Sequence, residues 1–314
     1  MARFNSSSIH LGRVAGIDLF LHWSWFVVAI FEISSRSGRY NSLVWNVLEY
    51  LALFGIVLLH EFGHAMACRQ VGGTANRIML WPLGGVAYVD PPPRPGATLW
   101  SIAAGPLVNV ALLPLLYGAV LFTRSAGWAY SMPDAYHLIR WILYIDFGLL
   151  VFNILPIYPL DGGQILRSLL WYLMGPARSL MAATVVGMIG AVGFVALAVW
   201  GRSTWTFLIA AYMLMSSWSG LKNALALIRQ EKLPRRLGPL CPTCGSAPPL
   251  GPRWRCTSCS QPFDTFETHA VCPHCGAQHP DTMCIDCSQT HPISEWFTHA
   301  YSNAGSGGNS SIGG

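Results

Sequence analysis

The hydrophobic positions of the chain are gathered into six long apolar stretches, which polar segments separate. The stretches lie at 16–34, 45–69, 98–122, 138–157, 180–201 and 204–227. A transmembrane helix needs about 20 consecutive, mostly apolar residues, and each stretch is of that order. We therefore predict an all-α polytopic membrane protein with six transmembrane helices.

A shorter apolar segment, 78–89, lies between the second and third stretches. It contains Pro82, Gly84 and Gly85 and is followed by three consecutive prolines. These residues interrupt a helix, and the segment is too short to cross a bilayer. We predict a re-entrant loop or a short hairpin, because irregular backbone at membrane depth is tolerated only where protein or a cavity surrounds it.

The composition also indicates a multi-pass integral membrane protein. Hydrophobic residues make up 53% of the chain and charged residues 11%, whereas soluble domains carry about 25% charged residues. An even number of spans puts both termini on one side, and that side receives most of the basic residues. The positive-inside rule then places both termini in the cytoplasm. The net charge of +5 is modest, so we do not expect a nucleic-acid partner.

The apolar periodicity stops near residue 232, where a polar segment rich in proline and cysteine begins. We predict a membrane domain over 1–232 and a cytosolic domain over 237–292. We predict a flexible tail over 293–314, because its last part is Gly, Ser and Asn and cannot bury enough apolar surface to become ordered.

Four Cys-x-x-Cys pairs dominate the cytosolic part. Their strict pairing favours metal binding over disulfides, and therefore a reducing compartment. Four thiolates complete a tetrahedral structural zinc site, so the pairs are typical of two tandem zinc ribbons. We assign the pairs in chain order, with interleaving as the alternative; iron at one site also fits the spacing. The first set is Cys241, Cys244, Cys256 and Cys259, and the second set is Cys272, Cys275, Cys284 and Cys287.

The second apolar stretch contains the motif His60-Glu61-Phe62-Gly63-His64. Histidines at i and i+4 lie on one face of a helix, so both imidazoles can reach one metal ion. The glutamate between them can hold a metal-bound water, which zinc acidifies to a pKa of about 7. Ionisable side chains within a span are costly and are functional by default. The motif therefore predicts a catalytic zinc site inside the membrane.

A catalytic zinc ion takes three protein ligands, and two residues are candidates for the third. Cys68 lies one turn beyond His64, but three residues spread over about 12 Å of one straight helix cannot converge on a point. We interpret Cys68 as a small buried hydrophobic residue. Asp161 follows a segment with two prolines and precedes two glycines. Such a broken segment can turn a carboxylate towards an ion.

Together these motifs resemble the site-2 protease family of intramembrane zinc metalloproteases, peptidase family M50. The resemblance rests on the His-Glu-Phe-Gly-His helix and on the segment 153–163, Asn-Ile-Leu-Pro-Ile-Tyr-Pro-Leu-Asp-Gly-Gly. It extends to Gly-Ile-Asp-Leu-Phe-Leu-His-Trp-Ser at 16–24, Pro-Leu-Gly-Gly at 82–85 and Ala-Gly-Pro-Leu-Val-Asn at 104–109. It covers roughly residues 10–230.

The resemblance implies His60, His64 and Asp161 as ligands of one catalytic zinc ion, with two structural zinc ions in the ribbons. It implies Glu61 as the general base. Asn153 occupies the position of the family's asparagine and either donates to the oxyanion or hydrogen-bonds a neighbouring helix. The loop at Gly84 and Gly85 supplies a strand edge that pairs with an unwound substrate.

Three further polar residues within the apolar stretches have two readings each. Asn109 is either an oxyanion donor or a helix-packing residue beside Gly105, and we favour packing. Asp146 either tunes the site or faces water near a helix end. His22 either gates the site or is an interfacial or core histidine.

The function that these residues favour is hydrolysis of peptide bonds in or near substrate transmembrane segments within the lipid bilayer. The alternatives are a catalytically silent scaffold with the protease fold, and a metal transporter, which Glu61 argues against. We expect the ribbons to contact the substrate or a cytosolic protein regulator.

Overall fold

The structure is a computed structural model that describes residues 8–35, 38–81 and 84–304. The chain divides into two compact units, Met1–Leu227 and Ile228–Gly314. The first unit is mostly helical and also contains a small sheet. The second is built from short hairpins around cysteine pairs.

Between Ser24 and Glu231, the described residues form seven helices, the last of which extends past the boundary between the units. They are α1 (Ser24–Ser35), α2 (Leu43–Gln70), α3 (Pro95–Ser125), α4 (Trp128–Ser131), α5 (Pro133–Ile154), α6 (Asp161–Trp200) and α7 (Thr204–Glu231). In the described residues, four of them are long and apolar enough to cross a membrane: α2, α3, α5 and α6. Four of the six predicted spans therefore correspond to helices that are long and apolar enough to cross a membrane.

The break in α6 explains one difference from the predicted spans. Gly175 has φ 79° and ψ 173°, which is not helical, and Pro176 follows it. Because proline lacks an amide hydrogen and restricts the residue before it, the helix stops and restarts here. The predicted span 180–201 is therefore the second part of α6, and the first part carries Asp161.

A four-stranded sheet contradicts the all-α prediction. Its strands are β1 (Ser8–Val14), β2 (Ile17–His22), β3 (Thr74–Trp81) and β4 (Gly84–Asp90), in the order β1-β2-β3-β4. The pair β2–β3 is parallel, and the other two pairs are antiparallel. β4 is thus an edge strand, with one row of backbone groups left free of sheet pairing.

The predicted first transmembrane helix, 16–34, is wrong. Its first part forms β2, where buried and partly buried residues alternate, and only Ser24–Ser35 are helical. The alternation is that of a strand whose one face packs on a core. The predicted hairpin over 78–89 corresponds to the pairing of β3 with β4, while Pro82 and Leu83 lie outside the described residues. Its insertion into a bilayer stays a prediction.

The core of the first unit lies between the sheet and α2. It is formed by Ile17, Leu19, Leu21, Trp25, Val57, Ala65, Cys68, Ala75, Ile78 and Leu80. The side chain of Cys68 is fully buried there, as the sequence predicts. On its other side α2 lies so close to α3 that a Cβ at Gly63 would come within 2.8 Å of the Ala104 carbonyl oxygen. This packing fixes α2 from both sides.

The second unit contains two short hairpins, β5 (Trp254–Arg255) with β6 (Pro262–Phe263) and β7 (Asp281–Met283) with β8 (Thr290–Pro292). The sequence predicts a flexible tail from residue 293, whereas the structure has a helix there, α8 (Ile293–Ala304). The difference arises because Trp296 is buried against Phe266 and anchors the helix. Residues 305–314 lie outside the described part.

Candidate metal centres

The two histidines of α2 point their Nε2 atoms at one place. The Nε2 atoms of His60 and His64 are 3.1 Å apart. His60, Glu61 and His64 are all buried and together form a group that could hold a metal ion. The helical spacing of four residues brings the rings together, as the sequence predicts.

Asp161 completes the donor set from another helix. Its Oδ2 lies 2.9 Å from Nε2 of His60 and 3.5 Å from Nε2 of His64. Asp161 is the first residue of α6, and the glycines behind it permit its position. A Cβ at Gly162 would collide with the Ile154 and Leu155 carbonyls, and one at Gly163 with the Tyr158 amide nitrogen. The broken segment therefore delivers the carboxylate to the histidines.

The far nitrogen of each histidine is held by a hydrogen-bond acceptor. Nδ1 of His64 lies 2.9 Å from the Ser101 carbonyl oxygen, and Nδ1 of His60 lies 2.5 Å from Oδ1 of Asn109. Since both partners accept, both Nδ1 atoms donate, and each neutral ring keeps its Nε2 lone pair for a metal ion. Orienting contacts of this kind are typical of metal-binding histidines.

Asp146 extends this arrangement by one more hydrogen bond. The Asn109 amide donates to Oδ1 of Asp146 over 2.6 Å, which leaves Oδ1 of Asn109 directed at His60. Both side chains have no exposed surface. Asn109 thus joins α3 to α2 and α5 by hydrogen bonds, as the favoured helix-packing interpretation predicts, and it also orients the His60 ring. The signal for its role was the presence of two polar residues in apolar helices that must find partners.

Glu61 contacts the free edge of β4. Its Oε2 accepts a hydrogen bond of 2.8 Å from the Ala87 backbone amide. A Cβ at Gly85 would collide with the Glu61 carboxylate, so glycine is required for this close approach. Gly84 pairs with Trp81 of β3 in the same sheet. The predicted strand edge thus lies directly beside the predicted base.

Gly105 of α3 leaves the space that the histidines occupy. A Cβ there would collide with the imidazoles of His64 and His60. The donor set therefore fits into a cradle that any larger residue would fill. Its Nε2 and Oδ2 atoms lie 2.9–3.5 Å apart. A tetrahedral zinc ion with bonds of about 2.0–2.2 Å separates neighbouring ligand atoms by roughly 3.3 to 3.6 Å, so a small outward shift of the side chains would admit the ion.

Two other predicted residues lie at the ends of their elements, Asn153 in α5 and His22 in β2. Asn153 is half-buried, one residue before the end of α5. Its catalytic role stays a prediction. His22 ends β2, where its ring stacks on Trp81 at a centroid distance of 4.6 Å and its Nδ1 contacts the Ser24 hydroxyl.

The eight cysteines of the second unit form two nested groups, not the two sequential groups predicted. The outer group is Cys241, Cys244, Cys284 and Cys287, and the inner group is Cys256, Cys259, Cys272 and Cys275. The Sγ–Sγ distances between the two cysteine pairs of each group are 3.5–3.7 Å. Zinc–sulfur bonds of about 2.3 Å in a tetrahedron place sulfur atoms roughly 3.8 Å apart. Both groups therefore fit a metal ion.

The sequential assignment fails because packing outweighs loop length. Short loops favour local pairing, but Cys241 and Cys284 are buried in one apolar cluster with Phe266 and Trp296. In the inner group, the Cys259 amide chiefly, with help from the His279 imidazole, lowers the pKa of the Cys256 thiol to about 5. Nε2 of His279 lies 3.2 Å from that sulfur. The thiolate form of Cys256 is thus favoured at neutral pH, whereas hydrogen bonds among the sulfur atoms raise the pKa of the Cys259 and Cys275 thiols.

The geometry of the first unit is that of the membrane zinc metalloproteases. Of the four membrane-length helices in the described residues, α2 carries the His-Glu-x-x-His motif and α6 the aspartate that meets it. The sequence model of peptidase family M50 matches residues 49–135 and 129–197. The membrane-helix part of the chain is therefore similar to peptidase family M50.

Individual relatives agree with this similarity. Over 180 residues, 57% of this chain and 50% of the relative, it is 34% identical to zinc metalloprotease MJ0392 of Methanocaldococcus jannaschii. Over 202 residues, 60% of this chain and 51% of the relative, it is 30% identical to the putative zinc metalloprotease Rip3 of Mycobacterium tuberculosis. The chain thus spans about half the length of these curated relatives.

A solved structure shows the same fold. The site-2 protease from Methanocaldococcus jannaschii matches with a TM-score of 0.50 and 27% sequence identity, over 68% of this chain and 95% of that one.

Proposed function

We propose that this protein is an intramembrane zinc endopeptidase that hydrolyses peptide bonds in or near transmembrane segments of its substrates. The observation that carries the proposal is the meeting of two Nε2 atoms and a carboxylate beside Glu61, within a bundle of membrane-length helices. The relationship to named zinc metalloproteases supports the same conclusion.

His60, His64 and Asp161 would hold the catalytic zinc ion. When bound, zinc would supply an acidic water and polarise the substrate carbonyl. The protein's own contribution is to fix both imidazoles through Asn109 and the Ser101 carbonyl, so that no reorganisation is needed during the reaction.

Glu61 is the proposed general base. The Glu61 carboxylate lies beside the imidazoles of His60 and His64, and the backbone at Gly85 approaches it closely on one side. From this position Glu61 takes a proton from the attacking water and gives it to the leaving amine. We propose that Asn153, at the end of α5, donates a hydrogen bond to the oxyanion.

The substrate is proposed to bind as an added strand on β4. The edge of β4 is free of sheet pairing, and the Ala87 amide on that edge faces Glu61. A substrate helix must unwind to expose its amides, and an edge strand offers the hydrogen bonds that replace the lost helical ones. Pairing beside Gly84 and Gly85 would place the scissile bond next to the base.

The cytosolic roles remain part of the proposal. The excess of basic residues on one side and the thiols of the ribbons support cytoplasmic termini. We propose one catalytic and two structural zinc ions, with the ribbons contacting the substrate or a protein regulator.

The variant Glu61→Gln tests the function, because it keeps the size of the side chain and removes the base. Full-length wild-type and variant proteins are expressed in cells, and membrane proteins are quantified by mass spectrometry. We expect intact substrates to accumulate with the variant while its zinc content stays unchanged. Glu231→Gln, at the exposed end of α7, is the matched control. Identical fragment patterns for wild type and Glu61→Gln would instead indicate a silent scaffold.

A further inference from the structure

A cavity of about 340 Å³ lies outside the metal centre, where α2 and α5 begin. It is lined by Arg39, His137, Arg140, Trp141 and Tyr144. Two guanidinium groups and an imidazole thus face one space. None of these residues takes part in the proposed reaction.

The walls of this cavity are held in place by hydrogen bonds. The backbone and side-chain amides of Asn41 both donate to the Asp134 carboxylate, at 3.1 and 3.2 Å. These bonds fasten the segment before α2 to the first turn of α5. The Arg39 guanidinium lies 4.1 Å from the Trp141 ring centre and donates to Glu49 over 3.0 Å. Arg39 is therefore fixed in the wall.

Arg140 supplies a positive charge that is not neutralised. Its guanidinium donates to the Tyr144 hydroxyl over 3.2 Å and lies over the Tyr136 and Tyr144 rings. Among the described residues, no carboxylate lies within ion-pair distance of it. With Arg39 balanced by Glu49, the cavity keeps at least one net positive charge. The N-terminal ends of α2 and α5 add their partial positive charges.

An exposed apolar surface of α5 begins at this cavity. Tyr144, Phe147, Val151 and Ile154 are 43–55% exposed and follow one another at helical spacing, with Arg140 one turn above Tyr144. The stripe from Tyr144 to Ile154 is about 15 Å long at 1.5 Å per residue. A charged cavity at the top of an exposed apolar stripe matches a molecule with an anionic head and a hydrocarbon chain.

We propose that this cavity binds the phosphate group of a membrane phospholipid. Arg140 and Arg39 contact the phosphate oxygens, for which the planar guanidinium is well suited. The acyl chain lies along the exposed stripe of α5. Trp141 and Tyr144 sit at the level of the headgroups, where such rings are enriched in membrane proteins.

Native mass spectrometry of the full-length protein tests the proposal. The protein is released from detergent after incubation with phosphatidylglycerol, and the fraction of chains that retain a lipid is measured. We expect Arg140→Gln to lower this fraction roughly tenfold, the effect of losing one charge-assisted hydrogen bond. We expect Arg140→Lys, which keeps the charge and loses the planar fork, to lower it less.

Arg124→Gln is the matched control, because it removes an exposed arginine near the end of α3 and does not touch the cavity. Its lipid retention should equal that of the wild type. Equal losses for Arg140→Gln and Arg124→Gln would overturn the site and indicate non-specific charge attraction. Unchanged retention in Arg140→Gln would overturn it as well.

Inorganic phosphate distinguishes the two possible sources of the anion. If millimolar phosphate displaces the lipid or raises the thermal stability in an Arg140-dependent way, the site takes a free phosphate and the lipid assignment is overturned. We expect neither effect, because the exposed stripe contributes to lipid binding. Unchanged thermal stability of lipid-free Arg140→Gln verifies that the variant is folded.

Discussion

Nδ1 of His60 lies 2.5 Å from Oδ1 of Asn109, and Asn109 in turn donates to Asp146. This chain of hydrogen bonds joins three helices, α2, α3 and α5, at the level of the metal centre. It sets which nitrogen of His60 carries the proton and therefore which one faces the other donor atoms. The metal centre thus depends on residues beyond the donor set.

Replacing Asn109 by leucine should weaken metal binding at the catalytic site. The change leaves Nδ1 of His60 without its acceptor and frees the ring to rotate, so we expect zinc affinity to fall by about 10- to 100-fold. The measurement is the zinc retained per chain against a graded chelator, in full-length protein. The ribbon ions should be unaffected.

Asp146→Asn provides the second step of this test. It keeps the shape of the side chain but weakens its hold on the Asn109 amide, so the loss of affinity should be smaller than in Asn109→Leu. Equal zinc retention in both variants and the wild type would show that Asn109 only packs helices.

Gly105→Ala should remove the catalytic zinc ion without unfolding the helix. The new methyl group would occupy the space of the His60 and His64 imidazoles, while alanine is itself favourable in a helix. We expect loss of about one zinc ion per chain and loss of proteolysis. Gly118→Ala on the same helix is the control, because a Cβ there meets nothing within 4 Å. Full zinc content in Gly105→Ala would contradict the claim that Gly105 leaves the space that the two imidazoles need.

The His-Glu-x-x-His site could be predicted from sequence because its donors lie on one helix. The i, i+4 spacing of His60 and His64 fixes their relation before any tertiary structure forms. Asp161 was reachable because prolines and glycines mark a broken segment. The contact of Asn109 with His60 was not, since its partners come from two other helices and no local spacing encodes that contact.

The sheet and the ribbon groups were missed for related reasons. The segment Ile17–His22 is apolar enough to extend a helix, yet pairing with β3 makes it a strand. In the ribbons, Trp296 and Phe266 bring distant cysteine pairs together, against the preference for short loops. Long-range packing decided both outcomes.

Gly85→Ala should impair substrate binding and proton transfer by Glu61 while leaving zinc binding intact. A Cβ at this position would displace the Glu61 carboxylate from the Ala87 amide, while the histidines lie elsewhere. We expect at least a tenfold loss of cleavage of a model transmembrane substrate, with zinc content unchanged. Gly55→Ala, on α2 in open space, is the control. Normal cleavage by Gly85→Ala would remove β4 from the proposed mechanism.

The nested ribbons predict an asymmetry between their two metal ions. The chain segment between the two inner cysteine pairs, Cys259 to Cys272, lies within the segment between the two outer pairs, Cys244 to Cys284. The inner metal site can therefore form without the outer one, whereas the outer site must form around the inner one. Trp254 packs against both cysteine clusters and couples them. Cys272→Ser should therefore weaken the binding of both metal ions, whereas Cys284→Ser should remove only the outer ion. Zinc counts per chain and the fluorescence of Trp296, which is buried in the outer cluster, measure these losses. Retention of the outer ion in Cys272→Ser would show that the two sites fold independently.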